Sequence, residues 1–236
     1  MSDGDALLSA ILAQPDEDVP RLAYADWLDE HGDQLARVRA EFVRVQIALA
    51  GLPTNARDLD LEARAKRLLE EHCVNWLAPL RADGEPLLRG LTHGLFRRGF
   101  VEVVWMPATW FVAKAEMLFA RVPARELRVT RATIEELAAL VANPHFPRLT
   151  ALDLTSRGLG DSTARVLTQR PAVAAIRRLR LRGCGLTDAG ACRLADADFD
   201  WPLQELDVSL NPLSPFGVSA LRTRFGEGTV LAPGLG

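Results

Sequence analysis

Arginines at alternate positions are the residues of this chain best placed to do chemistry. Arg178, Arg180 and Arg182 alternate with Leu179 and Leu181. In a β-strand, successive side chains point to opposite faces, so the three guanidinium groups would share one face and the leucines would face a core. Guanidinium groups bind carboxylates and phosphates through paired hydrogen bonds. The segment is therefore a candidate surface for binding an acidic group.

The same alternation recurs in neighbouring segments and brings further charges to this face. One row is Glu102, Arg128, Asp153, Arg180 and Asp207, and the row beside it is Glu126, Ala151, Arg178 and Glu205. Two interpretations stay open: the charges neutralise each other across strands, at about 0.2–1 kcal/mol for each pair, or they form a platform for a partner. Under the second interpretation, the partner-binding residues are Arg128, Asp153, Arg178, Arg180, Arg182, Glu205 and Asp207.

Acidic residues near the N-terminus form the competing candidate site, which would be that of a hydrolase-like enzyme. Asp26, Asp29, Glu30 and His31 lie within one short segment, and Asp26 and Glu30 share one face of a helix. The structural alternative for His31 is helix capping, because a cation is favoured in the last turn. The sequence contains no HExxH, GxSxG, P-loop or dinucleotide motif, so we predict no cofactor and no metal.

Apolar spacing predicts that helices position these acidic residues. The predicted helices are Asp5–Ala13, a second helix from about Pro20 to His31, Arg37–Ala50 and Asp58–Leu80. Pro20 suits a first helical turn, and Gly32 is the expected left-handed residue after the second helix.

Two sequence motifs in this helical part resemble a known bacterial family. Residues 21–30 read Arg-Leu-x-Tyr-Ala-Asp-Trp-Leu-x-Glu, and residues 41–46 read Glu-Phe-x-Arg-x-Gln. This order resembles the repeat-companion domain, a short helical module that sits beside repeat arrays. The resemblance covers residues 5–50. It implies that a repeat array is present, but it implies no activity.

An internal period of 27 residues positions the charged rows in the second half. Its aligned apolar columns are Leu149, Ile176 and Leu203; Leu152, Leu179 and Leu206; Leu154, Leu181 and Val208; and Leu159, Leu186 and Leu213. Each unit begins with a period-2 segment and continues with residues three apart, which predicts one strand and one helix per unit. Such units bury their apolar sides only by stacking.

This pattern resembles the leucine-rich repeat, specifically the longer, helix-containing subtype of ribonuclease-inhibitor-like proteins. At the column where that family prefers Asn or Cys, the chain has Arg157, Cys184 and Asn211. The resemblance implies that Cys184 and Asn211 are buried and hydrogen-bond the turn backbone. Arg157 departs from the pattern, so we expect a more irregular or open turn there.

The predicted fold class is α/β: a helical N-terminal module caps a short leucine-rich-repeat solenoid, with a curved parallel sheet of about six strands inside and helices outside. Residues 1–95 form the helical repeat-companion module and residues 96–236 the solenoid. Within the solenoid, units 96–147 are degenerate, units 148–224 are regular, and residues 225–236 form the C-terminal cap. Strands are also predicted at Phe100–Trp105, Leu127–Val129 and Thr229–Leu231.

Composition limits the function classes. The chain has 236 residues, 48% of them hydrophobic, and a formal net charge of −3, which argues against a non-specific nucleic-acid coat. Three cysteines without a CxxC motif suggest neither disulfides nor zinc, and neither a secretion signal nor a membrane span is recognisable. We therefore predict a cytoplasmic, non-catalytic scaffold that binds another protein through the concave face of its repeats. In the enzyme alternative, the repeats serve as a docking arm.

Overall fold

A computed structural model describes residues 2–53, 55–78, 81–82, 85–86, 95–155 and 158–232. The chain divides into two compact units. The first unit contains residues 1–104 and 117–124, and the second contains residues 105–116 and 125–236. Among the described residues, no helix combines the length and the apolar character needed to cross a bilayer.

The first unit begins with four helices, as predicted. They are α1 (Asp3–Ala13), α2 (Val19–His31), α3 (Gln34–Ala50) and α4 (Leu59–Leu77). Side-chain caps explain why α1 and α3 start earlier than predicted. Ser2 and Asp5 form a capping box at α1, and the Asp33 carboxylate accepts a hydrogen bond from the Ala36 N–H at α3. Leu80, the predicted end of the fourth helix, lies outside the described residues.

Gly32 is required for a reason other than the predicted one. Its backbone is extended, with φ −94° and ψ 165°, so the expected left-handed conformation is wrong. A Cβ atom at this position would lie 2.3 Å from the Ala36 Cβ and 2.5 Å from the Leu28 carbonyl oxygen. The glycine thus permits the close approach of α2 and α3.

Short hairpins follow the helices. Strand β1 (Arg81–Ala82) pairs antiparallel with β2 (Glu85–Pro86), and β3 (Phe96–Arg97) pairs antiparallel with β4 (Phe100–Val101). Arg98 and Gly99 connect β3 and β4, both with positive φ, as in a tight hairpin turn. The predicted strand Phe100–Trp105 is therefore wrong in part, because its first two residues belong to this hairpin. Alternation alone does not distinguish a hairpin strand from a strand of the array.

A sheet of six strands contains the predicted array. Its elements in chain order are β5 (Val103–Met106), α5 (Ala108–Phe119), β6 (Glu126–Val129), α6 (Ile134–Val141), β7 (Ala151–Asp153), α7 (Asp161–Thr168), β8 (Arg178–Arg180), α8 (Asp188–Ala195), β9 (Glu205–Asp207), α9 (Pro215–Phe225) and β10 (Val230–Leu231). The strand order is β10-β9-β8-β7-β6-β5. Strands β6 to β10 pair in parallel, and a helix lies between each pair of consecutive strands.

The register of the sheet confirms the 27-residue period. Leu127, Leu152, Leu179 and Leu206 are paired across neighbouring strands in one row, and all four are buried at 1% exposure or less. Val230 of β10 continues the row and confirms the predicted final edge strand. One face of the sheet is therefore a continuous apolar layer, whose burial is the main stabilising contribution of the array.

The turns after β8 and β9 contain the two expected buried polar groups. Cys184 Sγ donates to the Leu154 carbonyl at 2.9 Å. Asn211 Oδ1 accepts from the Leu186 N–H at 2.9 Å, and Nδ2 donates to the Leu181 carbonyl at 2.8 Å. Both side chains thus satisfy backbone groups that would otherwise be buried without partners. Arg157, in the same sequence column, lies outside the described residues.

A carboxylate at the start of one helix caps the start of the next. Asp161 of α7 accepts from both the backbone N–H and the hydroxyl of Thr187, at 2.7 and 2.6 Å. Thr187 is the N-cap of α8. A Cβ atom on Gly190 would lie 2.3 Å from the Asp161 carboxylate, so glycine is needed for this contact.

The same contact recurs one repeat later. Asp188 of α8 accepts from the backbone N–H and the hydroxyl of Ser214, the N-cap of α9. A Cβ on Gly217 would lie 2.3 Å from the Asp188 carboxylate. We call these two contacts the Asp junctions. They connect α7 to α8 and α8 to α9.

Candidate binding surface on the sheet

The strand residues that alternate with the leucine row form a charged face, which we call the polar face. It consists of Glu126 and Arg128 of β6, Ala151 and Asp153 of β7, Arg178 and Arg180 of β8, and Glu205 and Asp207 of β9. Short parallel strands fix the spacing of these side chains, because neighbouring strands lie about 4.8 Å apart. The face is therefore a rigid base for charged groups.

Glu126, on β6, is the common partner of three arginines of the polar face. Its side chain is fully buried, and three guanidinium groups approach it. Nε of Arg128 lies 2.6 Å from Oε1, Nη1 of Arg180 lies 3.3 Å from Oε1, and Nη2 of Arg178 lies 3.8 Å from Oε2. A buried carboxylate is costly without such partners. Glu126 therefore orients the three arginines, although the sequence-based set of binding residues did not include it.

The small side chain of Ala151 makes this convergence possible. Ala151 lies between Glu126 and Arg178 in the paired row, and it is 2% exposed. Arg180 also contacts Glu205 on the other side, with Nε 3.0 Å from Oε1. Burial opposes the charge of Arg180, but the nearby Glu205, Glu126 and Asp153 raise its pKa above the ordinary value. Of the three arginines, Arg180 thus has the most negative charge around it.

The alternation of charges suggests that the two aspartates of the polar face pair with arginines on neighbouring strands. The structure gives them a different role. Asp153 Oδ1 accepts from the Thr155 N–H, and Asp207 Oδ1 accepts from the Ser209 N–H, both at 2.9 Å. Each carboxylate thus holds the turn that follows its strand. The alternation of charges in sequence therefore does not translate into a simple ladder of neighbouring ion pairs.

One residue of the predicted binding set and one residue of the predicted rows lie outside the polar face. Arg182 is exposed and lies in the turn beyond β8, because the strand ends at Arg180. Glu102 is buried in the first unit, where its Oε1 lies 2.9 Å from Arg21 Nη2 and 2.9 Å from Arg98 Nη2. Its assignment to the polar face is wrong, since the hairpin of β3 and β4 interrupts the alternation before β5.

Trp105 adds an aromatic surface beside the arginines. The Arg128 guanidinium carbon lies 5.3 Å from the centroid of the Trp105 ring, a cation–π contact. Trp105 is half-buried and alternates with the buried Val104 and Met106. In the sequence, only its position between two core residues indicated that the Trp105 side chain points to the opposite face of the strand.

The residues of the competing acidic site have structural partners within the first unit. Arg44 binds Asp26 and Asp29 at 2.7 and 2.6 Å, and these hydrogen bonds raise its pKa. His31 Nδ1 lies 3.2 Å from the Trp27 carbonyl oxygen, and its ring stacks on Trp27. Asp26 and Asp29 thus share Arg44, whereas His31 contacts Trp27 and lies 4.0 Å from Glu30 Oε2. Within the described residues, no group of His, Cys, Asp and Glu side chains is suited to hold a metal ion.

The first unit contains a buried ionic cluster that sequence reasoning missed. Arg21 is 0% exposed and pairs with Glu102, while its Nη2 donates to the Pro15 carbonyl at 2.6 Å. Arg98, at the hairpin turn, donates to the Pro15 and Asp16 carbonyls at 2.9 and 2.7 Å. Burial raises the pKa of Glu102 despite the two arginines. These contacts fasten the hairpin to the loop between α1 and α2, which is a structural role.

Arg39 is a half-buried cation without a sequence signal. Its guanidinium carbon lies 4.7 Å from the Trp76 ring centroid, 5.4 Å from that of Phe96 and 5.2 Å from that of Phe100. Burial lowers the pKa of Arg39 to about 10. The aromatic rings stabilise the charge in place of an acidic side chain.

Comparison with known families identifies the repeats. Residues 176–195 and 202–221 each match the family model described as Leucine Rich repeat. Each match begins just before a strand, β8 or β9, and ends within the helix that follows. A search of curated proteins finds no matching sequence. The chain therefore contains a leucine-rich-repeat region, which includes the residues that β8 and β9 contribute to the polar face.

Proposed function

We propose that the protein is a non-catalytic interaction module that binds another protein through the polar face of its leucine-rich repeats. The observation that carries this proposal is the set of guanidinium groups on the face: Arg128, Arg178 and Arg180 are 28 to 36% exposed while sharing one fully buried carboxylate. Arginine side chains held in place by a buried anchor are suited to protein recognition, since little conformational entropy remains to be lost on binding.

Leucine-rich repeats generally serve as protein-interaction modules, and this supports the assignment. In our proposal, the array is a solenoid of the ribonuclease-inhibitor-like subtype, which the alignment of strand, Cys or Asn turn and helix supports. Residues 1–95 would form a repeat-companion module, as their two motifs suggest. The protein as a whole then acts as a scaffold for a partner protein.

Charge reversal on the polar face tests the proposed function. The double variant Arg178→Glu with Arg182→Glu, called the polar-face variant, changes one arginine of the face and one in the turn directly beyond β8. Among the described residues, Arg178 has a single long ion pair, and Arg182 is exposed. The matched control is Arg165→Glu with Arg193→Glu, two exposed arginines on helices α7 and α8. Partners are captured by cross-linking from a lysate of the native organism and compared by mass spectrometry.

We expect the polar-face variant to lose specific partners that both the wild type and the control variant retain. Circular dichroism establishes that both variants are folded. If the polar-face variant recovers the same proteins as the wild type, the polar face does not bind the partner and the proposed function is overturned. Equal loss in the control variant also overturns it, because the effect would then reflect net charge alone.

A further inference from the structure

The polar face contains hydrogen-bond donors that its own carboxylates do not use. Within the described residues, the Arg178 side chain makes no hydrogen bond, and its nearest acidic atom, Glu126 Oε2, is 3.8 Å away. A guanidinium group has five N–H donors in a planar fork. At 36% exposure, Arg178 therefore presents unused donors to solvent at the edge of the Glu126 cluster.

Arg128 presents a second guanidinium group, held in place from two sides. Its Nε donates to Glu126 at 2.6 Å, and its planar group lies over Trp105. These contacts occupy Nε and one face, which leaves the terminal nitrogens as donors. A restrained arginine loses less entropy when it binds a ligand than a mobile one.

Arg128 and Arg178 flank one strand of the sheet. They lie on β6 and β8, the two neighbours of β7. Arg178 is paired with Ala151 of β7, whereas Arg128 is paired with Asp153, two residues further along that strand. The two backbones are therefore about 10 Å apart, and Ala151 contributes no side chain that would block the space above it. An oxyanion placed above Ala151 would be within reach of both arginines, because both side chains approach Glu126 on the neighbouring strand β6.

The flanking charges distinguish between classes of anionic ligand. Glu205 and Asp207 border the arginines on β9, and Asp153 lies beside Ala151 on β7. A nucleic-acid backbone carries a negative charge at each nucleotide and would meet these carboxylates. An acidic side chain within an otherwise neutral or basic protein segment avoids this repulsion, because its charge is confined to one position.

We propose that Arg128 and Arg178 form a receptor site for a glutamate or aspartate side chain of the partner protein, seated above Ala151. This inference rests on the proposed function, since it names the chemistry by which the same face recognises its partner. The carboxylate would accept hydrogen bonds from both guanidinium groups. Glu126 is the positioning residue of this site.

A peptide titration tests the site directly. The probe is a short Gly/Ser peptide that carries a pair of glutamates, and the comparison peptides carry glutamines or lysines in their place. Binding to the full chain is followed at low salt through the arginine Nε–H resonances in NMR spectra. The variants are Arg128→Gln and Arg178→Gln, and the control is Arg165→Gln on α7. Because Arg178 makes no internal hydrogen bond, its variant is expected to fold.

We expect saturable binding of the glutamate peptide, with an affinity about tenfold lower in each face variant and unchanged in the Arg165 variant. Absence of binding by the wild type, an equal response to the glutamine peptide, or an equal loss in the Arg165 variant overturns the proposal. Tighter binding of a single-stranded RNA of the same length also overturns it.

Failure of this inference is distinguishable from failure of the proposed function. If charge reversal on the polar face abolishes partner capture but the glutamate peptide does not bind, the polar face still binds a protein, and only the assignment of a carboxylate ligand is wrong. If neither experiment depends on the face, both proposals are wrong.

Discussion

Single polar residues fix the turns of the array, and the number of hydrogen bonds they make differs within one repeat column. Asn211 bonds the Leu186 N–H and the carbonyls of Leu181 and Val208. Cys184, at the equivalent position one repeat earlier, contacts the Leu154 carbonyl at 2.9 Å and the Arg182 carbonyl at 3.8 Å. Because a buried backbone group without a partner is costly, the two positions differ in their contribution to stability.

We expect Asn211→Ala to lower the free energy of unfolding by about 2–4 kcal/mol, since it leaves several buried backbone groups without partners. Cys184→Ala is expected to cost less than about 1.5 kcal/mol, because a thiol is a weak hydrogen-bond donor. Urea unfolding followed by circular dichroism measures both. Equal losses would contradict the assignment of the hydrogen bonds.

Asp188 links stability to pH. Hydrogen bonds from the Ser214 hydroxyl and N–H lower the pKa of its carboxyl group below the ordinary value. The native state therefore favours the charged form. The resulting stabilisation is fully present above the pKa of the unfolded chain, near 4, and is lost as the pH falls through the lower, folded-state pKa.

We therefore expect the wild type to lose more stability than Asp188→Asn between about pH 5 and pH 2. Asp198→Asn, which changes an exposed aspartate, is the control and should follow the wild-type curve. Urea midpoints measured across this pH range provide the comparison. Parallel curves for the wild type and Asp188→Asn would show that the junction to Ser214 does not favour the charged carboxylate.

Helices α7, α8 and α9 are held in register by the Asp junctions. Each junction joins three sequence features of consecutive repeats: an aspartate at the first position of one helix, a hydroxyl N-cap on the next, and a glycine three residues after that cap. Thr163 occupies the glycine position of α7 and is buried. Ile134 occupies the first position of α6, where α7 and α8 have an aspartate, so the Thr163 side chain meets no carboxylate from that position.

A methyl group on Gly190 should disrupt the junction between α7 and α8. Gly190→Ala places a Cβ within 2.3 Å of the Asp161 carboxylate, and we expect a loss of about 1–3 kcal/mol. Gly228→Ala is the matched control, because a Cβ at Gly228 would meet nothing within 4 Å. Thermal or urea unfolding measures both variants.

The double variant Asp161→Ala with Gly190→Ala isolates the clash. Removing the carboxylate removes the nearer of the two groups that the new methyl meets and leaves Leu186 Cδ1 at 2.5 Å. The double variant should therefore lose less than the sum of the two single losses. Additive losses would mean that Gly190 is needed for a reason unrelated to Asp161.

The sequence pattern was sufficient to predict the repeated elements, but not the departures from repetition. Leu152, Leu179 and Leu206 recur at constant spacing because each fills the same position in a stacked unit, so strand, helix and register follow from the period. Phe100 also alternates with buried residues, but it pairs within a hairpin whose turn depends on Arg98 and Gly99. Local alternation contains no information about which strand a segment will pair with.

The candidate site shows the same limit. Alternation placed Arg178 and Arg180 on one face correctly, since side-chain direction is a local property of a strand. The convergence of both on Glu126 depends on the small size of Ala151 between them, which becomes apparent only when three strands are aligned. The buried pair of Arg21 and Glu102 had no periodic signal, because its members are brought together by tertiary packing.

At the scale of the whole molecule, pairing within the sheet predicts a gradient of local stability. Strands β7, β8 and β9 are paired on both sides, whereas β10 is paired only with β9 and ends the sheet. Edge elements open more easily than central ones, because fewer contacts are broken. The central repeats should therefore be the most stable part of the array.

Hydrogen exchange followed by mass spectrometry measures this gradient. We expect the slowest exchange in peptides that cover Leu179–Leu181, and faster exchange in peptides that cover Val230–Leu231. Leu179→Ala, which removes a fully buried side chain, should cost about 2–5 kcal/mol and accelerate exchange in β8 and its neighbours. Slower exchange at β10 than at β8 would contradict the strand order.

The Asp junctions also have a consequence for the length of the array. The segment 188–214 begins with Asp188 and ends with Ser214. It therefore contains both the aspartate of one Asp junction and the N-cap residue that donates hydrogen bonds to it. A tandem duplication of this segment would give each new boundary an aspartate, a serine and a glycine in matching places. The protein could thus be lengthened by whole units with an Asp junction at each new boundary. The polar face would widen by one strand with each insertion.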